Sequence, residues 1–166
     1  MEHTYSLRPL KETDAARMLE WMRDENVTAY LRIGGADTKL RDVQDFIASA
    51  KDESLNLHRA IVDENDTYLG TVSLKNIDHM KKQAEYAIAM HPDGMGCGAA
   101  AVATDQICKY AFKILRLRRV YLNVMLTNIR AIRFYEKMEF LPVAGEASLY
   151  IEGKIPVKWY EKREKE

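Results

Sequence analysis

The chain has 166 residues, 25 basic and 25 acidic side chains, and a formal net charge of zero. That length points to one domain over residues 1–166, able to bury roughly 70% of its unfolded surface without a staple. Zero net charge excludes a strong generic field for polyanions, so no nucleic-acid partner is expected.

Cysteine and histidine usage narrows the classes further. Cys97 and Cys108 form no CxxC, which speaks against a disulfide framework and for a reducing compartment. His3, His58, His79 and His91 show no metal-ligand spacing, so no metal is expected. The first ten residues hold no apolar signal core, and no run approaches ~18 apolar residues. The expectation is a cytoplasmic chain with no membrane partner.

Thr4 to Leu10 reads as a short strand. Thr13 then caps a helix through about Arg23, with Ala16, Leu19 and Met22 on one face. Glu25 to Gly35 reads as irregular. A second helix follows Thr38, with Leu40, Val43, Phe46, Ile47 and Ala50 at helical spacing. The period then changes to two. His58–Asp63, Tyr68–Asn76 and Ala84–Met90 read as strands separated by polar turns, an antiparallel meander. In the third strand Tyr86, Ile88 and Met90 share one side, and Glu85, Ala87 and Ala89 the other. Pro92 ends it, and a loop with Gly94, Gly96 and Gly98 leads into a helix from about Ala99 to Leu115. A strand centred on Val120, Leu122 and Val124 follows. Asn128 opens a short helix to about Met138, and two strands meeting near Glu152-Gly153 close the chain. The order predicts a mixed α/β (α+β) domain.

The glycine loop admits three readings. One is a tight turn that needs positive φ. A second is a nucleotide phosphate loop. A P-loop needs GxxxxGK[ST], and no Lys lies between Lys82 and Lys109. Gly96-x-Gly98-x-x-Ala101 fits GxGxxA, but the motif belongs early in a βαβ unit with an acid about 20 residues on. Here it follows three antiparallel strands, and Arg116 to Tyr121 is basic.

The third reading is coenzyme A. Met95-Gly96-Cys97-Gly98-Ala99-Ala100 resembles the [Q/R]-x-x-G-x-[G/A] pyrophosphate loop of the GNAT superfamily of N-acyltransferases. Asn128-x-x-Ala131-x-x-x-Tyr135-x-Lys137-x-x-Phe140 resembles that family's second signature, at the expected separation and with matching element order over nearly the whole chain. Met95 stands where the family usually has Gln or Arg. Leu7-Arg8-Pro9-Leu10, Ala84-Glu85-Tyr86, Tyr110-Ala111-Phe112 and the segment 145–160 resemble the group holding spermidine and ribosomal-protein N-terminal acetyltransferases.

The resemblance implies a mostly antiparallel twisted sheet, splayed between the fourth and fifth strands, and acetyl transfer from acetyl-CoA by direct attack of an amine. It assigns the loop residues 95–100, with Asn128, Ala131 and Lys137, to the cofactor, and backbone of Ile88, Ala89 and Met90 to its pantetheine arm. It makes Tyr135 the acid for the leaving thiolate, and a packed aromatic is the alternative. Asn128 reads equally as a helix N-cap. Glu85 reads as a base, as a ligand for a cationic amine, or as an exposed strand residue. On the acceptor side it points to Trp21, Asp24, Glu25, Tyr30 and Tyr150. The acceptor is a small amine (polyamine or amino sugar) or a peptide N-terminus. A homodimer is common in the superfamily. The alternative function is a non-catalytic CoA-binding sensor or partner module.

Overall fold

In the computed structural model, β1 (Ser6–Pro9), β2 (Leu57–Val62), β3 (Tyr68–Asp78), β4 (Gln83–Met90), β5 (Arg119–Met125), β6 (Leu141–Pro142), β7 (Ser148–Ile151) and β8 (Ile155–Arg163) form one sheet. Residues 3–31, 34–143, 148–151 and 155–165 are described, with backbone only for 148–151 and 155. The strand order is β1-β2-β3-β4-β5-β8-β6, and β7 pairs with β8 as well. Every described pairing is antiparallel except β4–β5. The helices are α1 (Ala15–Arg23), α2 (Glu25–Thr28), α3 (Leu40–Ser49), α4 (Ala99–Lys113) and α5 (Ile129–Lys137).

The period-two alternation gives the sheet two faces with different cover. One carries Leu57, Ile61, Val72, Leu74, Ala84, Tyr86, Val120 and Leu122 against Ala99, Ala103, Ile107 and Ala111 of α4. The other carries Ala60, Val62 and Tyr68 against Met18, Trp21 and Met22 of α1 and Val43 and Ile47 of α3. Tyr86 is anchored beneath α4, its hydroxyl 2.7 Å from Thr104 Oγ1. Thr104 in turn donates to the Ala100 carbonyl at 2.7 Å. Burying such a ring stabilises by about 2–3 kcal/mol, and the bonded hydroxyl removes the desolvation penalty.

Three local expectations are corrected. α1 buries Ala15, Met18, Trp21 and Met22, while Ala16 is exposed. The segment holds two overlapping apolar stripes, and the one carrying Trp21 wins because its Nε1 donates to Tyr68 Oη at 2.9 Å in the core. Thr13 lies inside a 3-10 turn (Glu12–Asp14) rather than at the helix cap. It is Asp14 that accepts from the Lys11 amide at 2.8 Å. Asp14 also takes a bidentate pair from Arg8, both bonds 2.8 Å, which ties β1 to the start of α1. Finally, the Glu25–Gly35 stretch contains α2, and β6 is an additional short strand.

The functional geometry comes from the single parallel pairing. β4 meets β5 only at Gln83, Ala84 and Glu85. Beyond Glu85, β4 stays with β3 out to Met90, and β5 stays with β8 out to Met125. The two strands part, and the β5-facing backbone edge from Tyr86 to Met90 has no strand partner among the described residues. This is the splay that the resemblance implies.

Candidate active site

The glycine loop leaves β4 through a 3-10 turn at Pro92–Gly94. Its glycines serve different ends. A Cβ on Gly94 would meet the Leu69 carbonyl oxygen at 2.7 Å, so that position is glycine for packing. Gly96 (φ +72) and Gly98 (φ +89) are left-handed, and a Cβ on either meets nothing within 4 Å. They are glycine for conformation, and the space above them is open. Among the described residues the N–H groups of Gly96, Cys97, Gly98, Ala99, Ala100 and Ala101 have no protein acceptor. They converge at the start of a 15-residue helix, where the dipole favours an anion. A pyrophosphate fits this cradle through backbone alone, so Met95 in place of Gln or Arg removes no donor that the cradle itself supplies.

Side chains that sequence reasoning passed over hold the loop in place. His91 is buried, its Nδ1 accepting from the Asp93 amide at 3.0 Å and its Nε2 lying 2.6 Å from Glu20 Oε2. Arg17 donates to Asp93 at 3.2 Å and to the Tyr68 carbonyl at 2.7 Å. The Cys97 carbonyl accepts from the Tyr5 hydroxyl at 3.2 Å, and the exposed Cys97 thiol donates to the Gly94 carbonyl at 3.2 Å.

A cleft of about 750 Å³ lies on the α1/α3 face of the sheet and runs into the splay. Trp21, Tyr30, Leu31, Phe46 and Trp159 are among its apolar walls, and His58, Thr71, Ser73, Lys75 and Glu85 line its floor. Ala87, Ile88 and Ala89 border the splay, and Asn128 and Tyr135 close the far end. Both halves of the predicted site therefore open into one space.

Tyr135 sits on α5 with its ring edge-on to Tyr86 (centroids 5.8 Å apart, planes at 88°) and close to Phe134 and Phe140. It is thus a packed aromatic as well as a cleft residue. Burial pushes its phenol up to about 12, so it is a proton donor throughout the neutral range. Its hydroxyl has no hydrogen-bond partner among the described residues. Asn128 is the N-cap of α5, its Oδ1 accepting from the Ala131 amide at 3.2 Å, and it also lines the cleft. Ala131 packs half-buried against the α4-side core, whereas Lys137 is exposed on the last turn of α5.

Glu85 faces the cleft and is not an exposed strand residue; its side chain is 18% exposed. It pairs at 3.3 Å with Lys75, its cross-strand neighbour on β3. Trp21 and Tyr30 stand in the cleft wall as expected. Asp24 and Glu25 do not line it: Asp24 caps α2 by accepting from the Asn26 amide at 2.9 Å, and Glu25 is exposed on that helix. Tyr150 lies in β7, where side chains are outside the described residues.

The floor and walls also hold residues that the sequence did not single out, among them Phe46, Lys75, Ser73, His58 and Trp159. Lys75, Ser73 and His58 share a sheet face with Glu85, as the β2–β3–β4 registers dictate. Alternation alone could have grouped them once the register was known. His58 Nδ1 lies 2.6 Å from Ser73 Oγ, and the ring stands edge-on to Phe46 at 4.7 Å. Burial lowers its pKa, helped by the positive Lys75 and Arg59, so the imidazole is neutral at pH 7. Trp159 carries a buried indole N–H with no partner among the described residues.

Comparison with known proteins matches this architecture. Residues 5–141 match the family model described as an acetyltransferase (GNAT) domain. The spermidine N(1)-acetyltransferase of Escherichia coli is 30% identical over 146 residues, covering 87% of this chain and 76% of that protein. Its counterpart from Vibrio cholerae is 31% identical over 81 residues, 49% of this chain and 47% of that one. The crystal structure of spermidine N-acetyltransferase from Vibrio cholerae in complex with CoA and spermine superposes with a TM-score of 0.83 at 22% identity, over 96% of this chain and 95% of that one. The splayed sheet, the donor-lined glycine loop and the tyrosine at the cleft's end thus belong to a member of the GNAT acetyltransferase family.

Proposed function

We propose that the chain acetylates a primary amine of a polyamine, with acetyl-CoA as donor, by direct attack in a ternary complex. The observation that carries this reading is the single cleft, which joins an aromatic trough to the splay and ends at Tyr135. Acetyl-CoA supplies an activated thioester. The chain's own residues do the rest. Gly96 to Ala101 offer unpaired N–H groups to the pyrophosphate, and the open backbone edge of Ile88, Ala89 and Met90 can pair with an extended amide arm. Tyr135 holds a proton at Oη for the departing sulfur.

On the acceptor side, Trp21, Tyr30, Phe46 and Trp159 can cover methylene segments and face ammonium groups with ring π-density. Glu85 provides a carboxylate for one ammonium, in competition with Lys75. The relatives' names support the polyamine class. A cytoplasmic setting goes with the same reading, supported by the two free thiols.

The test is thiol release from acetyl-CoA against a panel of spermidine, spermine, a hexosamine and a peptide with a free N-terminus. Turnover strongest with the polyamines supports the proposal. Turnover confined to the sugar or the peptide overturns the acceptor class. Tight acetyl-CoA binding with no turnover on any amine replaces the enzyme by a binding module.

A further inference from the structure

We infer that Ser73 and His58 form a proton-acceptor arm of the cleft, taking from the bound ammonium the proton it must lose before it attacks. This rests on the amine-acetylating reading and adds how that site makes its nucleophile.

The need is set by chemistry. A primary ammonium with a pKa near 10 is only about 0.1% neutral at pH 7. The carboxylate on the cleft floor, Glu85, is held by Lys75. One register step along the same sheet face a different pair is available. His58 on β2 stands opposite Ser73 on β3, and Ser73 stands opposite Ala87 on β4. The three form a row across the sheet that ends where β4 has parted from β5. Strands lie about 4.8 Å apart, so Ser73 is one strand from the splay edge and His58 two. Ala87 ends the row with a single methyl, and Ser73 and Ala87 both line the cleft. His58 is too far to reach the amine itself and acts through Ser73, bonded to it at 2.6 Å.

His58 also has a way out. It borders a second hollow of about 310 Å³ with Ser49, Asp52, Ser54, Leu55 and Asn56, where the end of α3 leads into β2. The imidazole thus separates the acceptor cleft from a solvent-facing one. The groups around it favour a neutral ring that passes a proton on. Lys75 on β3 and Arg59 on β2 are positive, and Arg59 is held at 2.6 Å by Glu53. Glu85 faces the same cleft from β4, paired with Lys75. From the α3 side Phe46 is uncharged and Asp45 beside it is exposed. Asp52 lines the second hollow, with its carboxylate bonded to Ser54.

The step balances as one proton moved. An N–H bond of the ammonium breaks and leaves its electron pair on nitrogen. Ser73 Oγ takes that proton while its own hydroxyl proton passes to His58 Nδ1, giving an imidazolium. The imidazolium releases one proton to water in the second hollow.

The experiment compares wild type with His58→Gln and Ser73→Ala, measuring kcat/KM for the amine from pH 6 to about 9.5, together with an NMR titration of the His58 ring in the protein without substrates. With the arm removed, kcat/KM at pH 7 falls about 10²-fold. The gap then closes to within about threefold near pH 9.5, where free amine is plentiful. His58→Asn, of similar polarity but equally unable to accept a proton, behaves as His58→Gln. In Ser73→Ala the ring still titrates, at a shifted pH, while kcat/KM falls as in His58→Gln. A defect equal at every pH assigns the pair to structure and overturns the inference, as does an unchanged profile or a ring that stays protonated above pH 7. Wild type with no turnover on any amine instead defeats the acetyltransfer reading itself.

Discussion

Tyr135→Phe separates chemistry from packing with little ambiguity, because among the described residues the hydroxyl has no partner to strand. The ring contacts to Tyr86, Phe134 and Phe140 lie at 5.8, 5.6 and 5.9 Å between centroids, and phenylalanine keeps all three. Loss of an unbonded hydroxyl changes folding stability by no more than about 0.5 kcal/mol. Loss of a general acid lowers kcat by about 10²–10⁴-fold, or about 2.7–5.4 kcal/mol of barrier. Because burial holds the phenol at about 12, wild type keeps this proton across the whole working range. The defect is therefore the same at pH 7 and pH 9, unlike that of the His58 variants. The assays are thiol release for kcat, calorimetry for acetyl-CoA affinity and thermal unfolding for stability. A variant within about threefold of wild-type kcat, with affinity unchanged, refutes Tyr135 as the acid and leaves it an aromatic of the core.

Four further outcomes are expected. Lys75→Met frees the Glu85 carboxylate and lowers KM for a polyamine by about threefold to tenfold, with less effect on a monoamine; an unchanged or raised polyamine KM removes the charge-competition reading. Glu85→Gln raises KM about equally at all pH values if the carboxylate binds the amine, whereas a kcat loss concentrated at low pH makes it a base. Native protein alkylates at Cys97 but not at Cys108, whose thiol burial pushes up to about 12, and saturating acetyl-CoA protects Cys97; equal labelling with and without acetyl-CoA excludes the glycine loop as its seat. Arg8→Ala leaves the buried Asp14 carboxylate unpaired and lowers stability by about 3 kcal/mol, read as a shift in the urea midpoint; an unshifted midpoint refutes that pairing as a fold determinant.

How far the sequence could be read depended on where each signal sits in the chain. The glycine loop and the Asn128–Phe140 segment are local patterns, and both landed where expected, at a helix start and in a capped helix. The β4 faces were legible because alternation is local too. What escaped was the floor of the cleft. Lys75, Ser73 and His58 become site residues only through antiparallel registers that bring residues 58, 73 and 87 into one row. Register depends on turn geometry and on a bulge between Ile61 and Val62, neither of which a single sequence displays. The acceptor acids failed for the opposite reason. Asp24 and Glu25 carry the right charge in the right region, but a short helix spends Asp24 on its own cap.

The floor also resolves a conflict that any amine acetylation must face. A cationic acceptor is best held by a negative charge, yet that same charge stabilises the protonated, unreactive form. One carboxylate doing both jobs would raise the amine pKa while trying to take its proton. Here the two tasks fall on separate rows of the sheet. Glu85, balanced by Lys75, lies in the row where β4 and β5 are still paired. Ser73 and His58 lie one step further along, in the row facing the opened edge. An ammonium drawn in by Glu85 and the aromatic walls thus meets a neutral acceptor, with the positive Lys75 on the same cleft floor. Lys75 disfavours a second positive charge beside it, as it does on His58, so the floor that holds the ammonium also favours release of its proton at the place where attack begins.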